Sequence, residues 1–277
     1  MSGFWNDTKT ALLMAGMMGL CLGAGYLLGG QGALIWALIL GGGLNVLAYY
    51  FSDKIALASM RAVSITPQDD PWLYSTVARL AEQANMPMPR VYISPAAAPN
   101  AFATGRNPQN SAVCVTAGLR QMLNQSEMEG VIAHELSHIR HRDILISTIA
   151  AVLAGAISYL GYMVMWFGGG RRRDNPLAAL LLIILAPVAA MLIRLAISRS
   201  REYEADRGGA ELAGSAEGLS NALRKLDAAS RQIPLPVSDA QSHLFIVAPL
   251  AGGNLSRLFA THPPVEDRIR RLAAVFA

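Results

Sequence analysis

His134-Glu135-Leu136-Ser137-His138 follows the helix-opening pattern Ser126-Glu127-Met128-Glu129 and the apolar positions Val131 and Ile132, so the stretch reads as one well-started helix. Residues four apart on a helix stand one turn above each other. Both imidazoles can therefore reach a single ion, while Glu135, roughly 100° round the axis, faces a water molecule on it. Two nitrogen ligands for zinc and a base thus come from five residues. His141 shares the histidine face but lies about 10.5 Å along the axis from His134, too far to join a metal whose bonds to nitrogen are about 2 Å. It reads as a surface or headgroup-facing residue. Asp143 can accept a hydrogen bond from a ligand imidazole or cap the apolar helix that follows.

That apolar helix is one of four candidates for membrane spans. The chain has 277 residues, 53% of them hydrophobic and only 15% charged, against roughly 25% charged in soluble domains. Ala11 to Leu28 and Ala33 to Phe51 form an N-terminal hairpin joined at Gly29-Gly30-Gln31-Gly32. Ile144 to Phe167 and Leu177 to Ser198, the latter interrupted by Pro187, form a second. Gly19, Gly23, Gly25 and Gly29 are spaced for close helix contact in the first. Without a charged leader or a cleavage site, that first run reads as a permanent anchor. Lys54, Arg61, Arg140, Arg142, Arg199 and Arg201 flank the spans on the side of the histidine motif and place it in the cytosol; Arg171 to Arg173 argue the other way. The formal charge of +4, clustered beside the spans, suits anionic headgroups, and no nucleic-acid-binding motif accompanies it. Cys21 and Cys114 are too few and too differently placed for a disulfide framework.

The expected architecture is a mainly α integral-membrane protein of four hydrophobic helices with a small α+β cytosolic metalloprotease domain. Its parts are the anchor at 1–54, a first catalytic segment at 55–143, the second hairpin at 144–198 and a second catalytic segment at 199–277. In the first catalytic segment Asp70-Pro71 opens a helix to about Asn85. Arg90 to Ile93 and Ser111 to Thr116 read as strands, and a helix follows Gly118. Asn100-Ala101-Phe102-Ala103-Thr104-Gly105 is a further extended stretch, either an ordinary edge strand or one that pairs with a substrate backbone. Residues 230–254, with three prolines, read as a long loop.

A catalytic zinc needs a third protein ligand and an open position, and a carboxylate from another helix is the usual source. In Arg201-Glu202-Tyr203-Glu204-Ala205-Asp206, Glu202 and Asp206 share one helix face and Glu204 points away. Helical geometry makes one of that pair a ligand and the other a partner for an imidazole N–H. Tyr203 reads as packing.

Taken together, His134-Glu135-x-x-His138, Glu202-x-x-Ala205-Asp206 after two apolar runs, Thr261-His262-Pro263-Pro264 with Arg268 beyond it, and Asn100-Ala101-Phe102-Ala103 resemble the HtpX family of bacterial membrane zinc metalloproteases. The likeness covers nearly the whole chain. It implies one zinc per chain held by His134, His138 and Glu202, with His262 and Arg268 near the site. It also implies cytosolic-side proteolysis of misfolded or damaged membrane proteins in a bacterial inner membrane. On chemical grounds Glu135 is the base, His262 is suited to stabilise the oxyanion, and Arg268 to place that charge or bind substrate. Two other functions fit less well. A scaffold or holdase with a structural metal has no use for Glu135, and in an intramembrane-cleaving protease the motif would lie within a span, whereas here polar Arg140 to Asp143 separate it from one.

Overall fold

A computed structural model describes residues 2–145, 149, 199–232 and 263–276. The fourth apolar run, most of the third, the arginine cluster 171–173, the loop past Gln232 and His262 lie outside the described residues.

Helix α1 (Ser2–Ser59) is two limbs broken at Gly30, whose φ of 61° and ψ of −151° no helix contains. The limbs pack together. Asn45 Nδ2 donates to the Met14 carbonyl at 2.9 Å, and a Cβ on Gly25 would lie 2.5 Å from that of Ala37. Gly41 meets Cys21 and Met18 in the same way, whereas Gly19 and Gly23 face open space. Of the glycines expected at the contact, Gly25 is there, and Gly41 on the opposite limb was not foreseen. The second limb, Gly30–Ser59, is long and apolar enough to cross a membrane, and is the one such helix among the described residues. Ile35, Trp36, Ile39, Leu40, Val46 and Leu47 are all exposed along it, an apolar surface that lipid solvates better than water.

Beyond the hairpin come β1 (Val63–Ser64), α2 (Pro71–Gln83), β2 (Arg90–Ser94), β3 (Ala101–Asn107), β4 (Asn110–Thr116), α3 (Ala117–Met122) and α4 (Gln125–His141). Asp70 caps α2 by accepting from Leu73 N at 3.0 Å, with Pro71 in the first turn. The sheet order is β1-β2-β4-β3, with β2 and β4 parallel and the outer pairs antiparallel. β3 is thus an edge strand. Helix α4 opens not at Ser126 but at Asn124, which accepts from Glu127 N at 2.9 Å while Glu127 Oε2 accepts from Asn124 N at 2.9 Å. The reciprocal box exists two residues earlier than Ser126-x-x-Glu129 suggests, because Asn124-x-x-Glu127 carries the same pattern.

After the second apolar stretch the chain continues as α5 (Arg199–Ala213) and α6 (Glu217–Gln232), and later α7 (Val265–Ala273). One core takes residues from both sides of 146–198: Leu73, Val113, Leu119, Met128, Ile132 and Leu136 pack with Ala210, Leu219, Leu223 and Leu272. Full burial of each leucine or isoleucine contributes about 1.5–3 kcal/mol. Helix α4 runs through the middle, with the sheet on one side and α5 and α6 on the other.

Candidate metal centre

Glycines set how closely the helices approach. A Cβ on Gly209 of α5 would lie 2.8 Å from the His134 backbone, and one on Gly208 would collide with Ser137 Oγ. On the α6 side, a Cβ on Gly130 would lie 2.5 Å from Leu219 N, and one on Gly218 would strike the Ser126 carbonyl. α4 is therefore in backbone contact with both neighbours. Lys225 of α6 adds a 2.7 Å bond to Glu127 at the start of α4. These small residues escaped the sequence reading; their recurrence at helix positions opposite the histidine motif was the available signal.

The close approach delivers the side chains of α5 to the histidines. Arg201, Glu202, Ala205 and Asp206 are buried, while Glu204 is exposed. Ligand atoms of His134, His138 and Glu202 all lie within 4.8 Å of one another. His134 Nε2 is 3.9 Å from Glu202 Oε2, and His138 Nε2 is 3.5 Å from Glu202 Oε1. The two rings stand edge to face, centroids 4.7 Å apart. Their other nitrogens face carboxylates: His134 Nδ1 is 3.0 Å from Asp206 Oδ1, and His138 Nδ1 is 3.4 Å from Asp143 Oδ2. Each imidazole is thus oriented with Nε2 inward, which is how outer carboxylates prepare histidines for a metal. Two nitrogens and a carboxylate oxygen converging with their outer atoms held are a donor set that fits zinc with one position left open.

Glu135 lies beside this cluster, buried, with Oε2 accepting from Ala103 N at 2.8 Å. Burial pushes its carboxyl up to about 7, and the nearby Glu202 charge adds to the effect. Burial alone would lower the His138 imidazole, but the Asp143, Glu202 and Glu135 carboxylates outweigh it and lift the ring to about 9. For His134 burial wins and the imidazole is lowered, against the pull of Asp206.

Arg268 departs from the expectation that it contacts substrate. It is completely buried, and Nη2 and Nε grip Asp206 at 2.6 and 2.8 Å, with Glu202 Oε2 3.9 Å from Nη2. Burial would raise the Asp206 carboxyl, yet Arg268 and His134 hold it at about 2. An acid on α5 is thereby tied to α7 and to the His134 imidazole at once. Of the Asn100 to Ala103 stretch, all four residues are buried, and the side chains divide between faces. Ala101 and Ala103 join the core against α4, while Phe102 faces the end of α1. Phe102 therefore has its ring turned away from the cluster, and the strand's bearing on the site is through its backbone. His141 is half-buried, its ring near Gly208, rather than on the open surface. Tyr203 stacks under the Arg271 guanidinium at 4.0 Å.

The sequence profile of peptidase family M48 matches residues 67–275. A "Protease HtpX homolog" of Pelotomaculum thermopropionicum is 50% identical over 98% of this chain and 99% of its own length. Those of Syntrophotalea carbinolica and Thermodesulfovibrio yellowstonii are 53% and 52% identical, each over 98% of its own length. In fold, the chain is similar to the crystal structure of S. mikatae Ste24p, with a TM-score of 0.55 at 18% identity over 97% of this chain and 66% of that one.

Proposed function

The chain belongs to the HtpX proteases of peptidase family M48 and is a membrane metalloprotease; from that premise we propose that it is a zinc endopeptidase cutting misfolded or damaged membrane proteins at the cytosolic face of a bacterial inner membrane. The observation that carries the chemical reading is the convergence of His134, His138 and Glu202 within 4.8 Å, with the buried Glu135 carboxylate beside them. These three residues would hold the metal. A zinc ion there would supply Lewis acidity to a water molecule and to the scissile carbonyl.

Glu135 takes the proton of the attacking water and returns it to the leaving amine. Burial beside the cluster and the Ala103 N–H on Oε2 hold that carboxylate in place for both transfers. Asp206 and Asp143 keep the imidazoles in the ligating orientation. Arg268 keeps Asp206 charged. His262, outside the described residues, is the donor assigned to the oxyanion.

Substrate is held by the edge of β3. Antiparallel pairing alternates residues that bond inward and outward, and Ala103, whose N–H goes to Glu135, points away from β4; Ala101 does likewise by alternation. An extended peptide pairing there lies next to the base and is gripped with little demand on its sequence. The basic flanks Lys54, Arg61, Arg140 and Arg142 support the cytosolic assignment. The contacts Arg142–Asp7 at 3.3 Å and Arg90–Asp53 at 2.8 Å hold both ends of the hairpin on the catalytic side.

The test is cleavage of an unfolded membrane-protein substrate by detergent-purified protein with and without chelator, beside Glu135→Gln. The variant retains zinc and loses cleavage. Substantial turnover would remove Glu135 from the role of base, and loss of zinc would make it a structural residue.

A further inference from the structure

The reverse face of the substrate strand is covered by the membrane hairpin itself. Ala56, Leu57 and Met60, in the last turn of α1 and just past it, form a buried cluster with Phe102 of β3 and with Ala112 and Cys114 of β4. Phe102 pairs across the sheet with Cys114. The small side chains of Ala112 and Cys114 leave a hollow on that face, which the Phe102 ring and the end of α1 fill together. The seat is fastened at its margins. Ser94 Oγ donates to the Met60 carbonyl at 2.6 Å, Arg90 pairs with Asp53 at 2.8 Å, and the Arg106 guanidinium at the far end of β3 stands over Tyr50 of α1 at 5.4 Å.

Residue 102 immediately precedes the one whose amide sits on Glu135. β3 is thus held from two directions, its edge by the base on α4 and its back by the end of α1. Phe102, 3% exposed, is the buried aromatic side chain of β3 in the contact with α1. We propose that Phe102 is a positioning residue through which the membrane hairpin fixes the edge of β3 against Glu135, so that grip on an extended peptide depends on the seating of α1. Truncating Phe102 leaves the metal ligands on α4 and α5 untouched and frees the strand to move in its hollow. A displacement on the order of 1 Å at a positioning element can cost up to a hundredfold. The loss falls on substrate affinity, because the outward groups that shift and are open to a peptide are the N–H and C=O of Ala101 and the C=O of Ala103, the Ala103 N–H being held by Glu135.

This inference rests on the reading of β3 as the peptide-binding edge, and the experiment separates the two. Full-length protein in detergent or nanodiscs is assayed with a fluorogenic peptide and with the same peptide N-methylated at the residue proposed to pair with Ala103. Wild type should bind the methylated peptide poorly. If it cleaves both peptides equally, the edge reading fails and takes the inference with it.

Phe102→Ala should raise KM about tenfold, and Phe102→Leu about threefold, with kcat within about twofold and metal content unchanged. Leu57→Ala, on the α1 side, should raise KM alone and add little in combination with Phe102→Ala, since both empty one hollow. An N-methyl penalty in wild type together with an unchanged KM in Phe102→Leu and Leu57→Ala would overturn the role of Phe102 while leaving the edge reading intact. A fall in kcat or metal content with KM unchanged would overturn it as well.

Discussion

Replacing Arg268 with alanine removes a cation that water never touches and leaves Asp206 buried with only an imidazole beside it. The paired Asp206 carboxyl sits at about 2 against an ordinary 3.8, a gap equivalent to about 2 kcal/mol at roughly 1.4 kcal/mol per pH unit. Because the folded value is the lower one, that stabilisation is complete above about pH 4 and fades as pH falls through about 2. At neutral pH the variant forfeits the larger share of it, the part due to Arg268 rather than to His134, and it also strands a carboxylate without its fork of donors. Breaking a buried pair from one side costs about 3–5 kcal/mol, which corresponds to a fall in melting temperature of about 6–20 °C for a domain of this size. Asp206 also holds His134, so zinc affinity should drop about 10 to 100-fold. Differential scanning fluorimetry in detergent reads the first effect and competition with a fluorescent chelator the second. Arg268→Lys, which keeps a charge but loses the bidentate grip, should recover part of the stability. An Arg268→Ala protein that melts within about 1 °C of wild type and binds zinc normally would refute the account of Arg268 as the anchor of Asp206.

Glu202→Ala should lose most bound zinc while Glu204→Ala, exposed on the opposite face, keeps it; metal analysis of the two purified variants decides the third ligand. Gly209→Ala should cost about 1–3 kcal/mol and weaken metal binding, because its methyl would sit 2.8 Å from the His134 backbone; a fully loaded variant with wild-type stability would contradict the backbone contact. With no metal bound, His138 keeps a proton up to about 9. Zinc must displace it, so below that value apparent affinity should rise about tenfold per pH unit and then level off. Calorimetry in buffers of different ionisation enthalpy should show about one proton released per zinc at pH 7.

The parts of the site that were legible in the sequence are those governed by helical periodicity. Four-residue spacing put His134 and His138 on one face and Glu202 and Asp206 on another, and the same spacing turned Glu204 outward. Composition likewise pointed to the second limb of α1, Gly30–Ser59, as long and apolar enough to cross a membrane. What escaped was set by approach between distant segments. Nothing local to Arg268 names Asp206, 62 residues away, as its partner, and nothing local to Gly209 says that another backbone lies against it. The placing of β4 between β2 and β3 is equally non-local. The start of α4 was ambiguous for a simpler reason, two nested capping patterns that only the folded helix could separate.

The distribution of the centre along the chain has a kinetic consequence. Its parts span His134 to Arg268, and 63 residues lie between His138 and Glu202. Closing such loops is entropically costly before any contact rewards it. A ribosome that has delivered the histidine helix has delivered neither Glu202, which joins the histidines in the cluster, nor the arginine that steadies Asp206. A nascent chain that ends after the histidine helix therefore carries the motif without the residues that complete the cluster around it.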